Sequence, residues 1–261
     1  MISLLAQAWT LVASIQLVLW LEQQRTKNAG IVDVGWALSF TPVVALFAWR
    51  SSACWCGWAV PLVLVAVWSL RLGGYLLVRG AASGPEEGRY VTLRWKWGAN
   101  ASRNFFVFFQ AQAALTALLS SAFVVPFLVE PDAVWPRAVG ASVTIIGIAG
   151  ETIADAQLRR FKREHPGKVC DVGMWSWSRH PNYFFEWCVW IGYAVYGLAF
   201  APWGLVAFVP QAIILGSIWG VTGIPPTENQ AIRSKGDAYR DYQKRVSRFI
   251  PMPPKSRGND A

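Results

Sequence analysis

Long apolar runs broken by short polar stretches dominate the chain. Seven of them, at residues 2–21, 31–49, 58–77, 105–129, 138–156, 183–201 and 203–221, approach the roughly 20 residues that a helix needs to cross a bilayer. The pattern predicts an all-α, polytopic membrane helical bundle of about seven transmembrane helices. The first run lacks a basic start and a small-residue cleavage site, so it reads as a span rather than a secretory signal. The longest polar stretches are residues 79–104 and 159–182. Beyond residue 224 the pattern changes: Pro225-Pro226 is a helix-start signal, and basic and aromatic residues follow as far as Phe249. This predicts a C-terminal cytoplasmic interfacial helix, broken or bent near Gly236. The expected organisation is a single membrane domain over 1–261: a first span and loop at 1–30, a helical core at 31–224, and the C-terminal helix and tail at 225–261.

Composition agrees with this reading. Hydrophobic residues make up 54% of the chain and charged residues only 15%, with 16 tryptophans, which is more apolar than a soluble domain. The net charge of +9 would suit a nucleic-acid partner, but the basic residues follow topology instead. Arg25 and Lys27 follow the first run, Arg79 to Arg103 the third, and Arg159 to Arg179 the fifth, while the intervening connections offer only Arg50 and Arg137. The positive-inside rule therefore predicts a cytoplasmic C-terminus and an N-terminus on the opposite face, periplasmic in a bacterium, with no nucleic-acid partner. The four cysteines show no Cys-x-x-Cys pair, so no metal site is predicted. A Cys54–Cys56 bridge would close a very short loop, which suits disulfide geometry poorly.

Ionisable side chains inside apolar runs are the default place to look for function. Asp33, Arg71, Glu151, Asp155 and Glu186 lie near the ends expected to face the cytoplasm, and one shared cavity is predicted for them. Asp155, Arg159 and Lys162 share a helical face, and Asn182 and Glu186 are one turn apart. Arginines and lysines interspersed with carboxylates suit a large anionic cofactor, because they supply phosphate partners and ribose acceptors. The same cations also suit a solvated basic loop with snorkelling side chains. Likewise the tail helix suits either a membrane-surface anchor on anionic lipid or a cover for a cofactor pocket. No glycine-rich dinucleotide fingerprint, phosphate loop or nucleophile elbow is present in the sequence.

An ordered set of residues carries a family resemblance: Asp33-Val-Gly-Trp36, Trp68-x-x-Arg71, Arg79 with Glu86-Glu87-Gly-Arg89-Tyr90, and Asp155-x-Gln157-Leu-x-x-Phe161-Lys162. Gly173-Met-Trp175, Ser178-Arg-His-Pro-Asn-Tyr183, Glu186, Glu228 and Tyr239-x-x-Tyr242 continue it. The set resembles the steroid 5-alpha-reductase superfamily, and more closely its bacterial branch of membrane proteins with that reductase domain. Arg-His-Pro-x-Tyr alone also resembles isoprenylcysteine carboxyl methyltransferases, which bind S-adenosylmethionine. Asn182 and Asp155-x-Gln157-Leu favour the reductase branch.

The resemblance implies an NADPH-dependent reductase that saturates an enone of a steroid-like or other lipid substrate. By position, the implied cofactor contacts are Arg71, Arg79, Arg89, Arg94, Asp155, Arg159, Lys162, Lys168, Arg179, His180, Asn182, Tyr183, Glu186, Glu228 and Tyr239. The implied catalytic residues are Asp33, as the acid beside the substrate carbonyl, and Tyr90, with Tyr183 a further donor. Steroid-specific members resemble one another in a Gln-Glu step and a Tyr where this chain has Asp33 and Trp68, so the lipid class stays open. Asp33 could also simply cap the second helix. Two other readings remain: an S-adenosylmethionine-dependent membrane methyltransferase, and a non-catalytic lipid-sensing membrane protein.

Overall fold

A computed structural model describes residues 1–86 and 88–255; Glu87 of the Glu86-Glu87 step lies outside the described residues. Ten α-helices, short 3₁₀ turns and one π-helical turn make up the described chain. Six helical stretches are long and apolar enough to cross a membrane, and this is an all-α polytopic membrane protein. These six were found among the described residues, against an expected count of about seven. The run expected at 183–201 is the helix Pro181–Gly197 continued by a 3₁₀ turn, and it is not among the six. Two compact units form, one of residues 1–134 with 197–210 and one of residues 135–196 with 211–261.

In the first unit, α1 (Ile2–Thr26), α2 (Ile31–Trp49), α3 (Trp55–Val78), α4 (Gly88–Trp97) and α5 (Ala101–Leu119) pack so that α1 lies against α5 and α2 against α3. An aromatic column fills the interior. Phe40 meets Trp36, Trp68 and Phe123 edge-on, and Phe127 stacks on Trp58 with ring centres 5.6 Å apart. Aromatic pairs of this kind contribute beyond the area they bury. Ser69 ties α3 to α2, accepting from Thr41 at 2.9 Å and donating to the Ala37 carbonyl at 2.6 Å. Beyond Leu119 the apolar run leaves α-helical geometry for 3₁₀ turns around Pro126.

In the second unit, α6 (Trp135–Glu164) and α7 (Pro181–Gly197) approach at backbone distance. A methyl group on Gly140 would stand 2.5 Å from the Tyr196 nitrogen and 2.6 Å from the Gly192 oxygen, and one on Gly147 would stand 2.8 Å from the Val189 nitrogen. Gly140, Thr144 and Gly147 recur on one face of α6, the small-residue packing that lets helices approach in lipid. α8 (Phe208–Gly216) runs into the π turn Ser217–Val221. Two amphipathic helices follow, α9 (Ile224–Lys235) and α10 (Asp237–Arg245), separated at Gly236 with φ +56°. The prolines in the first turn of α9 and the break at Gly236 are what the sequence predicts.

Replacing Gly140 by Ala should therefore lower the thermal stability of the detergent-solubilised protein, by about 1–3 kcal/mol of overpacking. Gly216→Ala, where nothing lies within 4 Å of the new methyl, should leave it unchanged or raise it. Equal melting temperatures for both variants would contradict the close α6–α7 contact.

Candidate functional site

The singled-out residues divide between the two units. Asp33, Arg71, Arg79, Arg89, Tyr90 and Arg94 belong to the first, and all the others to the second.

In the first unit, Asp33 sits in the first turn of α2, where it could have capped the helix. It does not: the N-cap is Gly30, and the Asp33 carboxylate is taken up across to α4. Its Oδ1 accepts from the Tyr90 hydroxyl at 2.8 Å, and its Oδ2 accepts from the Arg89 guanidinium. Arg89 also lies over the Tyr90 ring, 4.7 Å from its centre, a favourable cation–π position. Tyr90 is buried against Phe105 and Phe108, which fixes its ring and aims its hydroxyl at Asp33. A second cluster anchors this end. Glu86 accepts from the Ala29 backbone N–H at 2.8 Å and from Arg94 at 2.7 Å and 3.1 Å, and this holds its carboxyl below the ordinary range despite opposing desolvation. Arg94 thereby joins the loop before α4 to the loop after α1. Arg71 is half-buried on α3, and Arg79 is exposed at that helix's end.

In the second unit, Asp155 is buried on α6 and accepts from the Asn182 amide on α7 at 3.2 Å. Two residues on, Gln157 accepts the Met174 N–H at 2.9 Å, and the Trp175 indole donates to the Ala154 carbonyl at 2.9 Å. These bonds dock the 173–176 turn on α6. Gly173 has φ +59°, and a side chain there would collide with Gln157, so both the left-handed backbone and the lack of space require glycine. Arg159, Lys162 and Lys168 are exposed beyond Asp155. Glu186, half-buried on α7, accepts from the Trp190 indole at 2.9 Å.

The Arg179 side chain, implied by the resemblance to be a cofactor contact, is buried and bonded to the tail. Nε donates to Glu228 at 2.7 Å, and Nη1 donates to the carbonyls of Gln243 at 3.0 Å and Val246 at 2.7 Å. It thus caps the C-terminal end of α10, where a cation is favoured. Further bonds stitch the tail to the same segment. The Ser178 hydroxyl donates to the Phe249 carbonyl at 2.7 Å, the Arg179 N–H to the Ser247 carbonyl at 2.8 Å, and the Tyr242 hydroxyl to the Trp175 carbonyl at 2.5 Å.

His180 stacks parallel on Tyr183, with Nε2 3.3 Å from Glu228. Tyr183 in turn shares a 3.1 Å hydrogen bond with Thr227. Burial pushes the His180 pKa below its ordinary 6.5, with Arg179 and Arg248 acting the same way and Glu228 opposing them. Burial also pushes Tyr239 up to about 12 and Tyr242 higher still. Both phenols stay protonated at neutral pH.

Tyr242, Gln243, Ser178 and Trp175 matter to this arrangement, yet no motif in the chain singles out Gln243, which donates to Glu228 at 3.0 Å. Lys235 and Arg245 were likewise missed. With Lys168, Asp171 and Asp241 they line an open hollow of about 490 Å³. Lys235 and Arg245 are ten positions apart on either side of Gly236, a spacing with no helical period that would have found them.

A family model matches residues 19–246, which include every residue singled out above. The chain belongs to that family, described as Protein of unknown function (DUF1295). The chain is also similar to an uncharacterized protein of Schizosaccharomyces pombe, 31% identical over 84 residues; the match covers 31% of this chain and 23% of that protein's length. No solved structure matches. The DUF1295 match ends at Val246, the residue whose carbonyl Arg179 holds.

Removing the Arg179 side chain strands Glu228 in a buried site, so Arg179→Met should cost about 3–5 kcal/mol. It should also expose the peptide bonds of α10 to protease. Arg179→Met with Glu228→Leu should recover part of that loss, and a double variant no better than the single one would contradict the pairing.

Because the folded pKa of His180 is depressed, its stabilising contribution is complete above pH 6.5 and is lost as pH falls through the folded value. Acidification from pH 6.5 down to the depressed folded value should lower the melting temperature of the parent more than that of His180→Gln.

Proposed function

We propose that the chain is an NADPH-dependent membrane reductase that saturates an activated carbon–carbon double bond of a steroid-like or other lipid enone. The observation that carries the reading is the Asp155–Asn182 pair, a buried carboxylate and a half-buried amide joined between two apolar helices. These are the two positions on which the reductase resemblance, as against the methyltransferase one, rests. The donor set of the second unit fits a dinucleotide phosphate. Arg159, Lys162 and Lys168 are exposed cations of the kind that suits phosphates, while Asp155 and Asn182 carry acceptor and donor groups suited to ribose or carboxamide. Arg179 has its hydrogen bonds committed to Glu228 and α10, so its role in this reading is to hold the His180–Tyr183 segment in place.

When bound, NADPH supplies a hydride to the β carbon of the enone. The chain's own task is then to hydrogen-bond the carbonyl oxygen as negative charge develops on it. Asp33 accepts from both Arg89 and Tyr90, which leaves the tyrosine O–H as the proton-bearing group of that pair. Tyr90 therefore donates, and Asp33 orients it and receives the hydrogen bond at rest. The reading places the polar tail helices on the cytoplasmic side, as the distribution of basic residues requires.

Detergent-purified protein should retain NADPH in preference to S-adenosylmethionine. Asp155→Ala and Asn182→Ala should lose NADPH, whereas Asp33→Asn and Tyr90→Phe should keep it and lose turnover by about 10²-fold or more. Retention of S-adenosylmethionine without NADPH would replace this reading with the methyltransferase one.

A further inference from the structure

At one end of the first unit, two thiols and a carboxylate meet. Cys54 and Cys56 flank Trp55 at the start of α3, and Glu130 follows the 3₁₀ turns after α5. Their ligand atoms lie within 4.8 Å of one another, and all three residues are exposed. Tetrahedral zinc with Zn–S near 2.3 Å and Zn–O near 2.1 Å would require ligand separations of about 3.5–3.8 Å.

The residues are held for this by contacts that owe nothing to a metal. The Cys54 N–H donates to Glu130 Oε1 at 2.7 Å, Ser51 Oγ donates to the Phe127 carbonyl at 2.8 Å, and Trp58 stacks on Phe127. Two segments 76 positions apart in sequence are thus already pinned together. Sγ of Cys54 accepts the Cys56 N–H at 3.4 Å, so the sulfur stands at the opening of a helix, where a thiolate is favoured.

We infer that Cys54, Cys56 and Glu130 form a zinc site on the exposed end of the first unit, with the fourth position open to water or an external ligand. Two thiolates with one carboxylate suit Zn(II), whereas Cu(I) would favour an all-sulfur set. Binding is not redox chemistry: each thiol gives up a proton as its sulfur coordinates the ion. The absence of a Cys-x-x-Cys spacing hid the site in the sequence, because Glu130, the third ligand, arrives from a distant loop. The site would clamp the α2–α3 connection to the chain after α5, and it stands independently of the reductase reading.

The test is titration of the full-length, reduced, detergent-solubilised protein with Zn(II) against a chromophoric chelator. One ion per chain is expected, with a raised melting temperature and slower maleimide labelling of Cys54 and Cys56. Cys54→Ser and Cys56→Ser should each weaken binding by more than about 100-fold, exceeding the loss of an outer-shell partner, and Glu130→Gln by about 10-fold. Cys188→Ser should leave it unchanged. Should a thiol variant fail to fold, labelling of the parent still decides the matter. Labelling unaffected by Zn(II), binding that survives loss of either thiol, a Cu(I) preference indifferent to Glu130→Gln, or isolation of the pair as a disulfide that excludes zinc would each overturn the inference.

Discussion

The buried guanidinium of Arg179 is the constraint around which the second unit is organised. One side chain satisfies the Glu228 carboxylate on α9 and two carbonyls at the end of α10. Such a charge is tolerable away from water only when it is well partnered, and here the partners come from two tail helices, α9 and α10. Forming the ion pair therefore requires the tail to fold back on the start of α7. The Ser178, Tyr242 and backbone bonds then fix its register. Arginine suits the position because its planar fork reaches a carboxylate and two carbonyls at once, which a lysine ammonium cannot do in one geometry.

Much of this was legible in the chain. Apolar runs located the helices, Pro225-Pro226 and Gly236 located the tail helices, and polar residues at 155, 182 and 186 marked where helices expose chemistry. The apolar run at 183–201 is helical as its pattern predicts, passing from α-helix to a 3₁₀ turn after Gly197. Periodicity describes a single helix and carries no information about what its side chains meet.

The same reason explains the site residues. Arg179 entered the cofactor contacts by resemblance, yet its partners lie 49 to 67 residues away. Asp33 could have been a cap, but α4 supplies Tyr90 and Arg89, which draw its carboxylate off the helix end. Gln157 read as a family marker and proves to be the side chain that receives the 173–176 turn. Local spacing can identify which groups are expensive to bury; the partner that offsets the cost belongs to the tertiary fold.

The central claim is that the polar faces of α6 and α7 hold a dinucleotide. Hydrogen–deuterium exchange of the detergent-solubilised chain, with and without NADPH, tests it most directly. The account predicts slowed exchange in peptides covering residues 155–163 and 178–186 on adding NADPH, with no such change on adding S-adenosylmethionine. Unchanged exchange in both segments at saturating NADPH, or protection by S-adenosylmethionine alone, would contradict it.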